Sequence, residues 1–169
     1  MFLTAKEKRD LVIRKSRNGR GIYARRDFFP GEIIFQVVGK RITCDEGDEL
    51  DDAIRANTFR FDIDTYISPV GRVGDFLNHS CSPNAKISKN TNRLFVIAMD
   101  TILKGEEVVI DYSTILASDD TWEMNCNCGS ENCRGLIKKF NSLPRKIKKK
   151  YLLFEMVPNY CYGKENNKI

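Results

Sequence analysis

The stretch that decides the fold is Asn78-His79-Ser80-Cys81-Ser82-Pro83-Asn84, which contains the chain's single histidine. A second stretch, Cys126-Asn127-Cys128-Gly129-Ser130-Glu131-Asn132-Cys133, follows 45 residues after Cys81 and has the spacing C-x-C-x4-C. The segment between them is β-like and ends in Ile110-Asp111-Tyr112. Thiols, a histidine and a tyrosine at a strand end, grouped in this way, indicate a built site rather than scattered core residues.

The C-x-C-x4-C run is polar and contains a glycine, so it has no apolar pattern with which to fold by itself. A metal ion is the expected staple, because zinc binds thiolates tetrahedrally and a closed structural site has four ligands. Three thiols are local, and the spacing leaves the fourth ligand open among Cys44, Cys81 and Cys161. A reducing compartment favours metal ligands over disulfides.

Length and composition are those of an ordinary globular domain. The chain has 169 residues, of which 41% are hydrophobic and 30% charged, which suffices for one domain with a substantial core. No run approaches the roughly 18 apolar residues of a membrane span. The start of the chain lacks the apolar region of a signal peptide, so we expect the protein to stay in the compartment where it is made or to leave by a route that needs no N-terminal signal.

Charge is unevenly distributed along the chain. Residues 45–52 carry six acids and no base, whereas residues 134–150 carry eight bases and no acid. Either run can be a solvated face. The alternative is that the acidic run meets a basic substrate and the basic run meets phosphate or an acidic partner.

The coarse pattern predicts a mainly β chain whose last part is helical. Alternation, β-branched residues and turn signals predict strands at 11–15, 22–24, 32–38, 58–63, 66–67, 93–99 and 106–112. Helical patterns are confined to 48–56 and to 144–154, the second opened by proline. We expect a β-rich body over 1–113, a cysteine segment over 114–136 and a basic helical tail over 137–169 packing on the body.

Two further features, taken singly, are weak evidence for a functional site. Gly19-Arg20-Gly21 reads as a tight turn, although glycine also permits close backbone approach to a ligand. Tyr112, at the end of a Val- and Ile-rich strand, reads as a core residue with a satisfied hydroxyl. Their recurrence together with the cysteine and histidine stretches gives them weight.

In order, the set is Ser16-Arg17-Asn18-Gly19-Arg20-Gly21-Ile22-Tyr23-Ala24, Pro30-Gly31-Glu32, Tyr66-Ile67, the stretch 78–84, Gly105-Glu106-Glu107, Asp111-Tyr112 and the cysteine run followed by Arg-Gly. It resembles the SET domain of protein lysine methyltransferases with a post-SET zinc segment, from about Val12 to Gly135. The resemblance implies several small β-sheets closed by a pseudoknot, a zinc-stapled segment and a short basic C-terminal helix.

The resemblance also implies where S-adenosylmethionine would bind. The turn at Asn18, Gly19, Arg20 and Gly21 would border its methionine part, and Asn78 and His79 would hold its adenine end. Trp122, or Leu136 in its place, would cover the adenine ring. Tyr66 and Tyr112 would border the cofactor as well as the entering lysine.

The catalytic and metal roles follow in the same way. Tyr112 would orient the lysine amine, and Tyr66 would form a second wall of the lysine channel. Cys81 would join Cys126, Cys128 and Cys133 around one structural zinc ion. Family members often carry Phe or Tyr where this chain has Ile110, which predicts a roomier channel and di- or trimethylation.

The function implied is methyl transfer to a lysine in a basic protein segment such as a histone tail. The alternatives are a methyltransferase for a non-histone protein and a non-catalytic binding module with the same fold. Residues 134–150 are expected to make at most a secondary nucleic-acid contact, because Phe140 is their sole aromatic residue. An intracellular location is expected, either the nucleus or a bacterial cytoplasm, with an exported effector as a variant. No membrane association is expected.

Overall fold

Short antiparallel pairs of strands make up most of the first hundred residues. The computed structural model describes residues 2–162. In chain order the first elements are α1 Ala5–Asp10, β1 Leu11–Ser16, β2 Gly19–Ala24, β3 Ile33–Val37, β4 Lys40–Thr43, α2 Cys44–Asp48, α3 Asp52–Arg55, β5 Phe59–Arg60 and β6 Thr65–Ser68.

The second part of the chain contributes shorter strands and the C-terminal helices. These elements are β7 Asn78–His79, β8 Ala85–Asn90, β9 Arg93–Ala98, β10 Val109–Ile110, β11 Met124–Asn125, β12 Leu136–Ile137, α4 Arg145–Leu153 and α5 Asn159–Tyr162. Single turns of 3-10 helix lie at Val73–Phe76, Tyr112–Thr114 and Phe140–Ser142. No helix within residues 2–162 is both long and apolar enough to cross a bilayer.

Five small sheets result from the pairing. β1 and β2 form a hairpin, β3-β9-β8 and β4-β6-β5 form three-stranded sheets, β7 pairs with β10, and β11 pairs with β12. All pairs are antiparallel except β7 with β10. The mainly β class expected from the sequence is therefore confirmed.

One core lies between these sheets. Alternate residues of β9 point inward, with Leu94 and Val96 fully buried, as the period of two along a strand dictates. The same apolar cluster reaches Trp122 and Ile137 beyond the last strand of the body. A second cluster joins Phe140 to Tyr151 and Cys161 within the C-terminal part and packs on Met99.

Several elements differ from the sequence-based expectation. The strand expected at 106–112 is reduced to Val109–Ile110. The strand expected at 58–63 stops at Arg60, because the amides of Phe61 and Asp62 both donate to the carbonyl of Thr65 in a turn.

Elements that the expectation omitted include β4, β8 and α1. The helix expected at 48–56 is two short helices instead, α2 and α3. Both α1 and α2 begin with a capping box, Thr4 with Glu7 and Thr43 with Glu46. That Thr-x-x-Glu signal was readable in the sequence.

Candidate functional site

The parallel pair β7–β10 brings the two halves of the candidate site together. Asn78 lies opposite Val109 and His79 opposite Ile110, and the amide of Ser80 donates to the carbonyl of Ile110 over 2.8 Å. Because side chains alternate along a strand, Asn78 and His79 point to opposite faces of β7. The side chains of the two residues therefore contact different parts of the structure.

Asn78 faces the glycine-containing hairpin. Its Nδ2 donates to the carbonyl of Arg20 at 3.1 Å and to Oε1 of Glu107 at 2.7 Å. Glu107 also accepts from the hydroxyl of Ser16 at 2.8 Å. A Cβ on Gly21 would lie 1.9 Å from Glu107 Oε1, so any other residue here would displace the Glu107 carboxylate from its hydrogen bonds to Asn78 and Ser16. The structure thus joins two of the segments expected to border the cofactor.

The turn of the hairpin is open on its outer side. Asn18, Gly19 and Arg20 are exposed. Gly19 has φ +88°, and a Cβ there would meet nothing within 4 Å. The guanidinium of Arg20 lies 4.4 Å from the ring centroid of Phe76. The space above this turn is therefore available to a ligand, and the assigned cofactor roles of these residues stay predictions.

His79 is turned inward and both of its ring nitrogens are engaged. Nδ1 accepts from the amide of Tyr112 at 3.1 Å, and Nε2 lies 3.3 Å from Cys81 Sγ. Burial lowers the pKa of His79 to about 4, so the ring is neutral and its 3.5 Å approach to Asp111 is no ion pair. A contact of His79 with adenine would have to use its backbone, and that role stays a prediction.

The Tyr112 side chain is almost completely buried, with 5% of its surface exposed. Its hydroxyl lies 2.7 Å from the carbonyl oxygen of Leu77 and 3.2 Å from Oδ1 of Asn57. The one phenolic proton can go to either acceptor. Burial raises the pKa of Tyr112, so it remains a neutral phenol and cannot serve as a strong base. Asn57 was not singled out from the sequence.

Tyr66 occupies a different hydrogen-bond environment. Its hydroxyl donates to Asp120 Oδ1 and accepts from Nη1 of Arg60 at 2.9 Å, and burial is the main cause that raises its pKa. None of these partners is shared with Tyr112.

A small cavity lies beside Tyr66. It is lined by Gly47, Arg55, Thr58, Tyr66, Leu116, Asp120 and Trp122. The Trp122 ring lies 6.4 Å from that of Tyr112. Tyr66 therefore lines a pocket whose inner wall adjoins Tyr112, and its catalytic role stays a prediction, as does the adenine contact of Trp122.

Ile110 has no exposed surface and belongs to the main apolar core. Its strand partner is His79, so a larger side chain at this position would have to displace core neighbours. The expected effect of Ile110 on the lysine channel stays a prediction.

His79 is also part of a compact cluster of side chains that could bind a metal ion. One side-chain donor atom from each of His79, Cys81, Cys126 and Cys128 lies within 4.8 Å of the others. Cys81 Sγ and Cys126 Sγ are 3.7 Å apart. Two thiolates bound at about 2.3 Å in a tetrahedron would be about 3.8 Å apart, so these sulfurs have the spacing of zinc ligands.

Cys133 lies at the margin of this cluster. It is exposed, and its Sγ is 3.7 Å from the carbonyl oxygen of Cys126. Cys44 and Cys161 are not in the cluster, since Cys44 Sγ contacts the carbonyl of Ile63 and Cys161 is buried in the C-terminal core. The cluster is compatible with a post-SET zinc site. The four-cysteine ligand set with Cys133 stays a prediction.

The thiols differ in how readily they lose their protons. Burial raises the pKa values of Cys81 and Cys126. Burial also opposes ionisation of Cys128, but the Cys81 backbone and the Ser130 hydroxyl lower its pKa to about 6. Cys81, Cys126 and Cys128 would bind a metal ion as thiolates, so binding would release the protons that their thiols carry.

A buried polar network, which was not anticipated, ties the cysteine segment to the body. Asp111 is fully buried, and its two oxygens accept from Nη1 and Nη2 of Arg134 at 2.7 and 2.8 Å. The hydroxyl of Tyr151 in α4 donates to the same carboxylate at 2.7 Å, and the amide of Ser113 donates at 3.0 Å. An arginine directly after the last cysteine was the available sequence signal.

Comparison with known proteins identifies the class to which this fold and site belong. A family model described as "SET domain" matches residues 19–113, which is more than half of the chain. The chain belongs to the SET domain family.

Its relatives carry specific names. The chain is 32% identical over 145 residues to a "Histone-lysine N-methyltransferase, H3 lysine-4 specific" of Cryptococcus neoformans, covering 79% of this chain and 10% of that protein. A protein of the same name in Saccharomyces cerevisiae is 30% identical over 147 residues, covering 80% of this chain and 14% of that protein. "Histone-lysine N-methyltransferase set-2" of Caenorhabditis elegans is 30% identical over 132 residues, covering 71% of this chain and 9% of that protein. The matches thus span about a tenth of the length of these relatives.

Proposed function

We propose that this chain is a protein-lysine N-methyltransferase that uses S-adenosylmethionine. The observation that carries the proposal is the Tyr112 hydroxyl, which is buried beside the carbonyl of Leu77 and the amide oxygen of Asn57. Tyr112 follows β10, the strand that pairs with Asn78 and His79, and its ring lies 6.4 Å from that of Trp122, which lines the Tyr66 pocket. The names of the relatives support the same reaction.

The cofactor supplies an activated methyl group, so the protein has to present an uncharged amine in line with it. Orientation of this kind is worth several kcal/mol. A free lysine amine has a pKa of about 10.4 and must lose its proton first. The walls formed by Leu116, Trp122 and Tyr66 would favour the neutral amine by desolvation and would tolerate methylammonium products through cation–π contact.

Tyr112 would act as an orienting residue and not as a base. When its proton is donated to Leu77, its oxygen can accept an N–H from the lysine amine. The carbonyl of Leu77 and the Oδ1 of Asn57 are two further acceptors in the same place. A neutral amine has two N–H groups, and donation of both to two of these three oxygens would leave its lone pair free to point at the methyl group. Asn57 therefore joins Tyr112 as a candidate for contact with the substrate.

The substrate we propose is a lysine in a basic protein segment, with histone H3 as the first candidate, because the fungal relatives are named for H3 lysine 4. α2 packs on the pocket, since a Cβ on Gly47 would lie 3.3 Å from the Tyr66 ring. Its neighbours Asp45, Glu46, Asp48 and Glu49 are all exposed. We propose that these acids form an acidic rim beside the pocket. Glu46 and Asp48 are paired with Lys40 and Arg55, so Asp45 and Glu49 would attract a basic peptide. A histone substrate would place the protein in the nucleus, which we favour over a bacterial cytoplasm.

The basic run offers a secondary contact. Arg145, Lys146, Lys149 and Lys150 are exposed and lie on one side of α4, at spacings of one and four residues. We propose that this side contacts nucleic-acid phosphates weakly when the substrate is chromatin. A DNA affinity without salt dependence would contradict this proposal, because phosphate contacts release counterions.

The central test is transfer of radiolabelled methyl from S-adenosylmethionine to recombinant histone H3 and to cell extracts. Tyr112→Phe should lower the rate by about 100-fold, the cost of a misplaced reacting group. Tyr151→Phe, which also removes a buried hydroxyl, should lose stability and keep turnover. Equal label in wild type and Tyr112→Phe would contradict the assignment. Tight peptide binding without any transfer would favour the binding module.

The acidic rim can be tested by charge reversal. Asp45→Lys with Glu49→Lys should raise KM for a basic peptide several-fold at low salt and less at high salt, because screening weakens the attraction. Asp100→Lys with Glu131→Lys, two exposed acids elsewhere, is the matched control. Equal KM values for the two double variants would remove the rim from the proposal.

The product is proposed to be di- or trimethyllysine, as Ile110 predicts. Mass spectrometry of a good substrate over time should show the higher methylation states accumulate. A reaction that stops at monomethyllysine would contradict the predicted roomy channel.

A further inference from the structure

The imidazole of His79 lies between the backbone of Tyr112 and the sulfur of Cys81. The distance from the Tyr112 amide to Nδ1 is 3.1 Å, and that from Nε2 to Cys81 Sγ is 3.3 Å. A nitrogen and a sulfur on one tetrahedral zinc ion would be about 3.5 Å apart. The Nε2–Sγ distance is therefore compatible with two arrangements. Either both atoms bind one metal ion, or Nε2–H donates a hydrogen bond to Sγ. The partner of Nδ1 decides between the two.

Nδ1 faces an N–H group, so it must supply a lone pair. A neutral imidazole carries one proton, and that proton is then on Nε2. An Nε2 that bears a proton has no lone pair for a metal ion. If Nε2 bound the metal, the proton would move to Nδ1 and two N–H groups would face each other at 3.1 Å.

The remaining possibility is that Nδ1 gives a proton to Asp111, 3.5 Å away. The two oxygens of Asp111 already accept from two Arg134 nitrogens, the Tyr151 hydroxyl and the Ser113 amide. Four donors fill the acceptor capacity of a carboxylate. Asp111 thus has no need of a proton from His79, whereas the buried Tyr112 amide would lose its acceptor.

We propose that His79 is a hydrogen-bond donor to a metal-bound Cys81 thiolate rather than a metal ligand, and that it couples metal occupancy to the position of the Tyr112 backbone. A thiolate is a strong acceptor, so metal binding at Cys81 strengthens the Nε2–H···Sγ bond. That bond fixes the ring, and the ring fixes the amide of Tyr112. His79 is a positioning residue that connects the metal site to the tyrosine through a single side chain.

The inference rests on the predicted metal site and is independent of the proposed methyl transfer, because its measurements need no turnover. If His79 makes both hydrogen bonds but the protein transfers no methyl group, only the proposed function is contradicted. If the protein binds the metal but His79 does not donate to Cys81, only this inference is contradicted.

The first measurement is NMR of the His79 ring nitrogens in protein loaded with ¹¹³Cd as a zinc substitute. The chain has one histidine, so the ring signals belong to His79 without further assignment. We expect the proton on Nε2 and no ¹¹³Cd coupling to either nitrogen. A proton on Nδ1 together with coupling of ¹¹³Cd to Nε2 would overturn the proposal. Failure of the folded protein to bind Cd²⁺ or Zn²⁺ would overturn it as well.

The second measurement uses variants of His79. His79→Leu should release Zn²⁺ to a chelator about 10-fold faster, as loss of a hydrogen bond to a ligand does. His79→Gln retains an N–H near the sulfur and should recover part of this loss. Both should keep the full number of Zn–S contacts in X-ray absorption, whereas Cys133→Ser should lose one.

Hydrogen exchange at the Tyr112 amide tests the coupling. In the wild type, metal removal should accelerate this exchange, and in His79→Leu the amide should exchange rapidly whether or not metal is present. Unchanged metal release and unchanged exchange in His79→Leu would overturn the proposal. If His79→Leu fails to fold, the same comparison in His79→Gln and the ring NMR of the wild type decide it.

Discussion

The strand-rich body packs aliphatic side chains such as Ile87, Leu94 and Val96 to 1% exposure or less, whereas no residue of the cysteine segment 123–133 is buried. The body can therefore be stabilised by removal of apolar surface from water. The segment largely lacks this source. Trp122 and Arg134 anchor its ends, through the apolar core and through the buried carboxylate of Asp111, and we predict that a metal ion bound by its thiols holds the part between them. The two regions thus differ in the source of their stability.

The largest effect is expected where the two regions meet. Arg134→Met should lower the free energy of unfolding by about 4 kcal/mol, because it leaves the buried carboxylate of Asp111 without its counter-charge. Urea denaturation measures this. Arg145→Met, an exposed arginine in α4, is the control and should change stability by no more than about 0.5 kcal/mol. Similar midpoints for both variants would show that the regions are not joined through this pair.

A slightly smaller effect is expected inside the body. Ile87→Ala in β8 should cost about 3 kcal/mol, the sum of lost apolar transfer and the cavity left behind. Ile63→Ala removes the same atoms from a side chain that is 66% exposed and should be close to neutral. If the two substitutions cost the same, the body is not stabilised by the packing described here.

The smallest effect on the body is expected from removal of metal. Chelation, or Cys128→Ser, should change the unfolding free energy of the body by about 1 kcal/mol or less, because Trp122 and Arg134 hold the ends of the segment without the metal. The segment itself should become sensitive to proteases between residues 123 and 133, since metal binding supplies its folding energy. Limited proteolysis with and without chelator reports the site of cleavage. Global unfolding on chelation would erase the distinction between the two regions.

Much of the fold was predictable from local patterns. Alternation in 93–99 and the turn at Gly19 predicted β9 and the first hairpin, and Pro144 predicted the start of α4. The two-residue strand β10 could not be predicted, because its length depends on where β7 ends and not on its own residues. The capping boxes of α1 and α2 were readable, but helices of five or six residues give too short a pattern to be found by periodicity.

The candidate site was predictable in its residue types and not in its contacts. Asn78, His79, Cys81 and Tyr112 were predicted from the sequence, yet their grouping required two strands whose paired residues are 31 positions apart to pair in parallel. Asn57 and Arg134 gave weak local signals because their importance comes from partners, Tyr112 and Asp111, that are distant in the chain.

The family and the fold class followed from the sequence alone, because the histidine-cysteine stretch, the Asp-Tyr pair and the cysteine run occur together in this order in one chain. The sequence also predicted that a metal ion stabilises the cysteine segment, since the composition of the segment offers no core. Only the tertiary structure decided that Asn78 and His79 face opposite ways, that Asn57 and not Tyr66 meets the Tyr112 hydroxyl, and that Asp111 joins three parts of the chain. The physical reason is that hydrogen-bond partners and burial are properties of positions in space, which short-range sequence patterns do not encode.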